Sequence, residues 1–192
     1  MKIECLPGTT IEVDFSMKNP AKVILDPMFL SGGLVLSQVS SLTNLEPHII
    51  QNWVKRGFLS PPINKKYSKR QFCRIVIINF LKDQLQIEKI VKLISYINAV
   101  LSDEADDIID DSELYGYFVN IITMLDLGAA SDMEKIRGII DKEALHFHEP
   151  IVGSRQKLSN VLEVMVILYL TSRLKAVAEL AIKNNFEGGF LW

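Results

Sequence analysis

The stretch from Thr43 to Pro62 limits what this chain can fold into more than any other part of it. Thr43-Asn44 reads as a turn, Pro47 takes the permitted first-turn position of a helix, Gly57 can adopt positive φ behind it, and Pro61-Pro62 forbids continuation. A helix is thereby confined to Pro47–Arg56. Ile50, Trp53 and Val54 share one of its faces at i, i+3, i+4, while His48, Gln51, Asn52 and Lys55 repeat that spacing on the opposite side. One face belongs to a core and the other is a polar row. Upstream, Ser37 caps a short helix predicted over Gln38–Leu42. Downstream, a basic segment from Ile63 to Tyr67 leads to Ser68, the predicted N-cap of a long apolar helix from Lys69 to about Asp83. The spacing of Ile87, Ile90, Val91, Ile94 and Ile97 predicts another helix over Ile87–Leu101.

Charge separates along the chain. Between Leu34 and Val100 there are ten Lys and Arg against three acids, although the whole protein carries a net charge of −2. Such asymmetry points to a polyanion as partner of the basic segment. Residues 102–113, SDEADDIIDDSE, form an acidic run that reads as a solvated linker between two domains. Beyond it, helices are expected over Leu114–Asp126, Met133–Leu145 and Gln156–Asn184, together a small bundle. Residues 1–33 hold Pro7-Gly8, Asn19-Pro20, Asp26-Pro27 and Gly32-Gly33. That density of breakers predicts an extended arm with one short strand near Thr10–Phe15. The domain reading is then an arm (1–33), a head (34–101), a linker (102–113) and a helical module (114–192).

The same residues weigh against several function classes. Cys5 and Cys73 have neither a C-x-x-C partner nor zinc-site spacing, which fits free thiols in a reducing compartment. The N-terminus MKIECLPGTTIEVDF lacks the unbroken apolar run of a secretory signal, and the longest strongly apolar run, Val164–Leu170, is far short of the roughly 20 residues a bilayer span needs. A cytoplasmic protein is expected. His146-Phe147-His148-Glu149 is too poor in further His or Cys to build a transition-metal site, so no metal or other cofactor is expected. No nucleotide-binding loop, nucleophile elbow or Cys–His pairing suggests catalysis, and the chain reads as a non-enzyme. Val161–Leu170 is apolar on nearly all sides, which predicts self-association through that helix.

Taken in order, the two short helices, Trp53, Gly57-Phe58-Leu59-Ser60-Pro61, the basic Lys65-Lys66-Tyr67 and the Ser68-capped helix resemble the winged helix-turn-helix head of MerR-family regulators. The string NWVKRGFLSPPINKKYSKRQ followed by IINFLKDQLQIEKI is similar to the bacterial domain of unknown function 1836 family, itself MerR-like. The resemblance implies a mainly α fold, a winged helix-turn-helix head followed by a small C-terminal helical bundle, and a DNA-binding transcriptional regulator. His48, Gln51, Asn52 and Lys55 would face bases in the major groove, and Lys65, Lys66, Tyr67, Lys69 and Arg70 would meet phosphates. Three features depart from the MerR pattern, the largest being that MerR regulators pass directly from the head into one long dimerising coiled-coil helix, whereas this chain has an acidic linker and a helical module. The recognition-helix arginine is Gln51 here, and the wing is short and lacks its usual glycine. The expected partners are double-stranded DNA, a second copy of the chain, and a small-molecule effector in the C-terminal module. Two alternatives remain open: an excisionase-like accessory protein that bends DNA, and a helical protein-interaction module that uses its head little.

Overall fold

A computed structural model of the protein describes residues 2–98, 107–125, 128 and 132–187. Among them are eight α-helices and two small antiparallel sheets, so the fold is mainly α. Strands β1 (Ile3–Cys5) and β2 (Glu12–Asp14) pair with Ile3 opposite Asp14, and β3 (Leu34–Val35) pairs with β4 (Lys66–Tyr67). The helices are α1 (Pro20–Met28), α2 (Leu36–Thr43), α3 (Pro47–Lys55), α4 (Lys69–Leu81), α5 (Ile87–Ser95), α6 (Asp111–Thr123), α7 (Met133–Ala144) and α8 (Ser154–Ile182). A short π-helical turn, Lys183–Glu187, ends the described chain. Among the described residues no helix is long and apolar enough to cross a membrane.

The core is organised by α4. Phe72, Ile75, Val76, Ile77, Ile78 and Leu81 are all buried. Each fully buried large apolar side chain contributes roughly 1.5–3 kcal/mol, so this helix is a large source of packing energy. Its N-terminus is a capping box: Ser68 Oγ accepts from the Gln71 N–H at 3.1 Å, and Gln71 Oε1 accepts from the Ser68 N–H at 2.9 Å. α6 packs along α4, and the first half of α8 packs on α6 and α7. One continuous cluster of buried apolar residues runs from Leu6 in the first loop to Leu170 in α8.

The N-terminal segment is not the extended arm that its breakers suggest. Asn19 adopts a left-handed conformation (φ 51°) and Pro20 occupies the first turn of α1, so the breakers mark a helix start rather than forbid one. Ala21 and Leu25 are buried, and α1 lies against α6. The loop between β1 and β2 is pressed onto α4. A Cβ on Gly8 (φ +78°) would stand 2.3 Å from the Val76 carbonyl oxygen, so only glycine fits that approach. Asn79 Nδ2 donates to the Gly8 and Thr43 carbonyls at 2.9 and 2.8 Å, and the buried Tyr115 hydroxyl donates to the Pro7 carbonyl at 2.8 Å.

The acidic run also departs from expectation. Residues 102–106 lie outside the described residues, but beyond them Asp107 and Asp111 turn inward rather than into solvent, while Asp110 is partly exposed and Glu113 is exposed. The Asp107 and Asp111 side chains are only 2% and 1% exposed, and Asp110 caps α6 by accepting the Ser112 N–H at 2.7 Å. Helix α6 therefore starts three residues before the expected Leu114. Buried Asn98 bonds the Ile109 backbone through both its amide nitrogen (2.8 Å) and its oxygen (3.2 Å), fixing the return of the chain after α5. In α8, Val161, Leu162, Met165, Val166 and Leu170 are buried within the same chain, so the apolar density there needs no second copy. The uncovered apolar residues lie further along: Leu174, Val177, Leu180 and Ile182 are each about half exposed.

Candidate nucleic-acid interface

Two short helices and a two-residue hairpin meet at one surface hollow, lined by Ser37 of α2, Gln51 and Val54 of α3 and Lys65 of the hairpin. After α2, Asn44 turns the chain through the left-handed region (φ 53°), and Ser40 Oγ locks the turn by donating to the Leu45 carbonyl at 2.5 Å. Pro47 then opens α3. Gly57 (φ +73°) closes it in a Schellman arrangement, with the Phe58 N–H bonding the Trp53 carbonyl at 2.9 Å and the Gly57 N–H the Val54 carbonyl at 3.0 Å. The sequence pattern anticipated each of these punctuations.

The apolar face of α3 goes into the core, with Ile50 fully buried and Trp53 5% exposed. On its other face His48, Gln51, Asn52 and Lys55 are all exposed. Beside it, Ile63 and Lys66 exchange backbone hydrogen bonds of 3.1 and 2.9 Å across a tight turn whose central residues Asn64 (φ 50°) and Lys65 (φ 62°) are both left-handed. Positive φ at both positions is the requirement of a type I′ hairpin, where Asn-Gly is preferred. Lys65 occupies the glycine position, at a cost of about 1–2 kcal/mol for a side chain in that region. Ile63, at the same tip, is 76% exposed.

The five residues expected at phosphates fall into different environments. Lys65 is exposed at the hairpin tip and makes no ion pair among the described residues. Lys66 is half-buried and donates from Nζ to the Ser31 carbonyl at 3.0 Å. Tyr67 is 3% exposed, a core residue facing Leu34 across the β3–β4 pair, and burial raises its hydroxyl pKa. Lys69 donates to Asp26 Oδ1 at 2.7 Å, which holds the Asp26 carboxyl below its ordinary value. Arg70 points to the acidic segment, pairing with Asp107 and lying 3.8 Å from Asp110 and 3.6 Å from Asp111. Of the residues expected at phosphates, Tyr67, Lys69 and Arg70 are thus engaged inside the fold. Burial claims the first, and carboxylates from distant parts of the chain claim the other two.

Arg74, one turn further along α4, completes this cluster. Its side chain is 3% exposed, with Nε 2.9 Å from Asp111 Oδ2 and Nη2 3.4 Å from Asp107 Oδ2. Burial pushes the Asp111 carboxyl up to about 6, against the pull of Arg74 and Arg70. Elsewhere on the head, Arg56 pairs with Glu88 at 3.2 Å and stacks over Phe58 at 4.4 Å, and Lys82 pairs with Asp83 at 3.3 Å. Much of the basic excess is therefore neutralised within the fold. On the polar row and the hairpin beside it, Lys55 and Lys65 make no ion pair among the described residues.

The sequence reading missed Gln71. Its side chain is buried, and Nε2 lies within 3.0 Å of the Ser60 carbonyl, the Ser60 hydroxyl and the Pro61 carbonyl. It ties the approach to the hairpin onto the start of α4, and the Ser-x-x-Gln spacing was the available signal. Of the histidine pair, His146 and His148 are exposed on either side of buried Phe147, whose ring meets Tyr117 edge-on at 6.5 Å.

These elements fall in one recognisable segment. Residues 30–118 match the family described as Domain of unknown function (DUF1836). The matched DUF1836 segment starts just before β3 and ends inside α6, so it holds the polar row, the hairpin and both halves of the Arg70/Arg74 carboxylate cluster. The chain is also similar to "Uncharacterized protein YkrK" of Bacillus subtilis (strain 168), with 28% identity over 153 residues, covering 74% of this chain and 66% of that protein. The chain thus spans slightly less than two thirds of that relative's length. No solved structure matches it significantly.

Proposed function

We propose that the DUF1836 segment is a MerR-like winged helix-turn-helix head and that the protein is a DNA-binding transcriptional regulator. The observation that carries this reading is the exposed row His48, Gln51, Asn52 and Lys55 lying beside a hairpin tipped with Lys65. Gln and Asn pair bidentately with adenine, and Lys favours guanine or phosphate, so the row has the donors and acceptors that major-groove readout needs. Lys65 strengthens the case. It sits in backbone space that favours glycine, and strained positions concentrate where function requires a particular side chain. The phosphate-contacting set is narrower than the sequence suggested and consists of Lys55 and Lys65, with Lys66 beside them.

Homodimerisation belongs to this reading, since two heads on one duplex grip two half-sites. The self-association face is the outer half of α8. Ile167, Leu174, Val177 and Ala181 are all exposed, and their spacings of seven, three and four residues are those of a coiled-coil seam. An isolated overhang of this length is marginal as a helix in water without such packing.

Fluorescence anisotropy with duplexes from the gene's own upstream region tests the proposal. The full chain should bind at low salt and weaken steeply toward physiological salt, and Lys55→Glu/Lys65→Glu should lower affinity at least about tenfold. Absence of binding at low salt, where non-specific contacts are strongest, would remove the DNA reading. A second reading has one observation in its favour: exposed Ile63 beside Lys65 suits an apolar wedge of the sort architectural proteins insert between base steps. Strong bending of the duplex with little sequence preference, read by end-to-end energy transfer, would select that accessory role.

A further inference from the structure

Between α1 and α6, at the point where α4 begins, a cavity of about 210 Å³ opens to solvent. That is below the roughly 300 Å³ at which drug-sized ligands are accommodated, a size suited to a small metabolite. One wall is cationic. Lys22 from α1 and Lys69 from α4 converge on Asp26, with Nζ 3.8 and 2.7 Å from its carboxylate. The α6 wall supplies acceptors. Asn120 spends its amide nitrogen on Asn19 Oδ1 and Glu143 Oε1, both at 2.8 Å, and its Oδ1 accepts no hydrogen bond among the described residues. The Glu113 carboxylate and the Tyr117 hydroxyl likewise have no bonding partner among the described residues. Burial, then Glu113 and Glu143, raise the Tyr117 pKa, so its hydroxyl remains a donor as well as an acceptor.

Gly116 adds an independent observation. It lies within α6 and lines the cavity, and a Cβ built on it would meet nothing within 4 Å. A glycine inside a helix costs about 1 kcal/mol relative to alanine, and here no neighbouring atom demands it. Its effect is to leave the cavity open.

We propose that this cavity binds a small zwitterion of the free amino acid class, its carboxylate held by Lys22 and Lys69 and its ammonium by Glu113 and the Asn120 side-chain oxygen. Two lysines and two acids line the site, so the wall charges balance, and a ligand carrying both signs complements them without adding net charge. The site is also placed to be felt by the head, because Lys69 is two residues beyond Tyr67, the last residue of β4. Binding itself does not depend on the DNA reading.

The test is isothermal titration of the full-length protein with the proteinogenic amino acids, β-alanine and γ-aminobutyrate, one at a time, with propionate and propylamine as single-charge controls. At least one amino acid should bind at one per chain, and both controls should bind at least about tenfold more weakly, the equivalent of one lost charged contact. Glu113→Gln should weaken the hit by a similar factor, and Gly116→Leu should eliminate it. Gly116→Ala serves if the leucine variant fails to fold, and should weaken binding while raising thermal stability. No response to any panel member at millimolar concentration would overturn the proposal, as would full retention of binding in Glu113→Gln and the Gly116 variants, or single-charge controls that bind equally well.

Discussion

The basic residues of the head divide into two populations that the sequence alone does not distinguish. On α4, Arg70 and Arg74 are sunk against Asp107 and Asp111, in contact with carboxylates that follow them by more than thirty residues. On α3 and the hairpin, Lys55 and Lys65 stand exposed with no acidic neighbour in bonding range among the described residues. The first population joins the DUF1836 segment's helices together, and the second is what the head offers to a partner. Charge segregation along a chain thus has two outlets, an external polyanion and the chain's own acidic segment. Here Arg70 and Arg74 take the second.

The largest effect that would break this division comes from the buried cluster. Arg74→Leu leaves Asp111 without its closest cation, and breaking a buried pair costs about 3–5 kcal/mol. Urea denaturation should register that loss, and Arg74→Leu/Asp111→Leu should restore a substantial part of it. A loss below about 1 kcal/mol would place Arg74 among the exposed bases instead.

A smaller effect concerns pH. Because the folded-state pKa of Asp111 is raised to about 6, its proton is held more tightly folded than unfolded. Between roughly pH 4 and 6 the folded state binds the extra proton, so the contribution of Asp111 to stability is greatest below that window and falls as pH rises through it. Relative to Asp111→Asn, the wild-type protein should lose about 2–3 kcal/mol between pH 4 and pH 7. Parallel pH profiles for the two proteins would contradict the buried placement of this carboxylate.

On the open face, the division predicts affinity changes without stability changes. Lys55→Glu/Lys65→Glu should shift the unfolding free energy by no more than about 0.5 kcal/mol, as exposed substitutions do, while lowering duplex affinity at least about tenfold. The smallest effect sharpens the role of the hairpin tip. Lys65→Gly relieves a left-handed lysine and should stabilise the fold by up to about 1 kcal/mol, yet weaken DNA binding. Gain on both counts would mean that the lysine at the tip serves neither.

Local punctuation was readable from the sequence. The turn at Asn44, the start at Pro47, the exit at Gly57, the cap at Ser68 and the two faces of α3 each follow from residues within a few positions of one another. Features that depend on distant partners were not readable. Nothing around Arg70 indicates Asp107, nothing around Lys69 indicates Asp26, and Tyr67 looks like a wing residue until its pairing with Leu34 buries it. The N-terminal helix was missed for a related reason: proline at a first turn and proline as a breaker are the same letter, and only the packing of Ala21 and Leu25 against the rest of the fold decides between them. For the candidate interface, the base-facing row was legible as helix periodicity, whereas the phosphate set was reduced by contacts made across the fold.

The most direct measurement is the salt dependence of duplex binding for three proteins side by side: wild type, Lys55→Gln/Lys65→Gln, and Lys69→Gln. Each phosphate neutralised adds about 0.9 to the slope of log affinity against log salt concentration. The division of bases predicts a slope smaller by about 2 in the double variant and unchanged in Lys69→Gln. A slope that falls in Lys69→Gln, or that is untouched in the double variant, would contradict it.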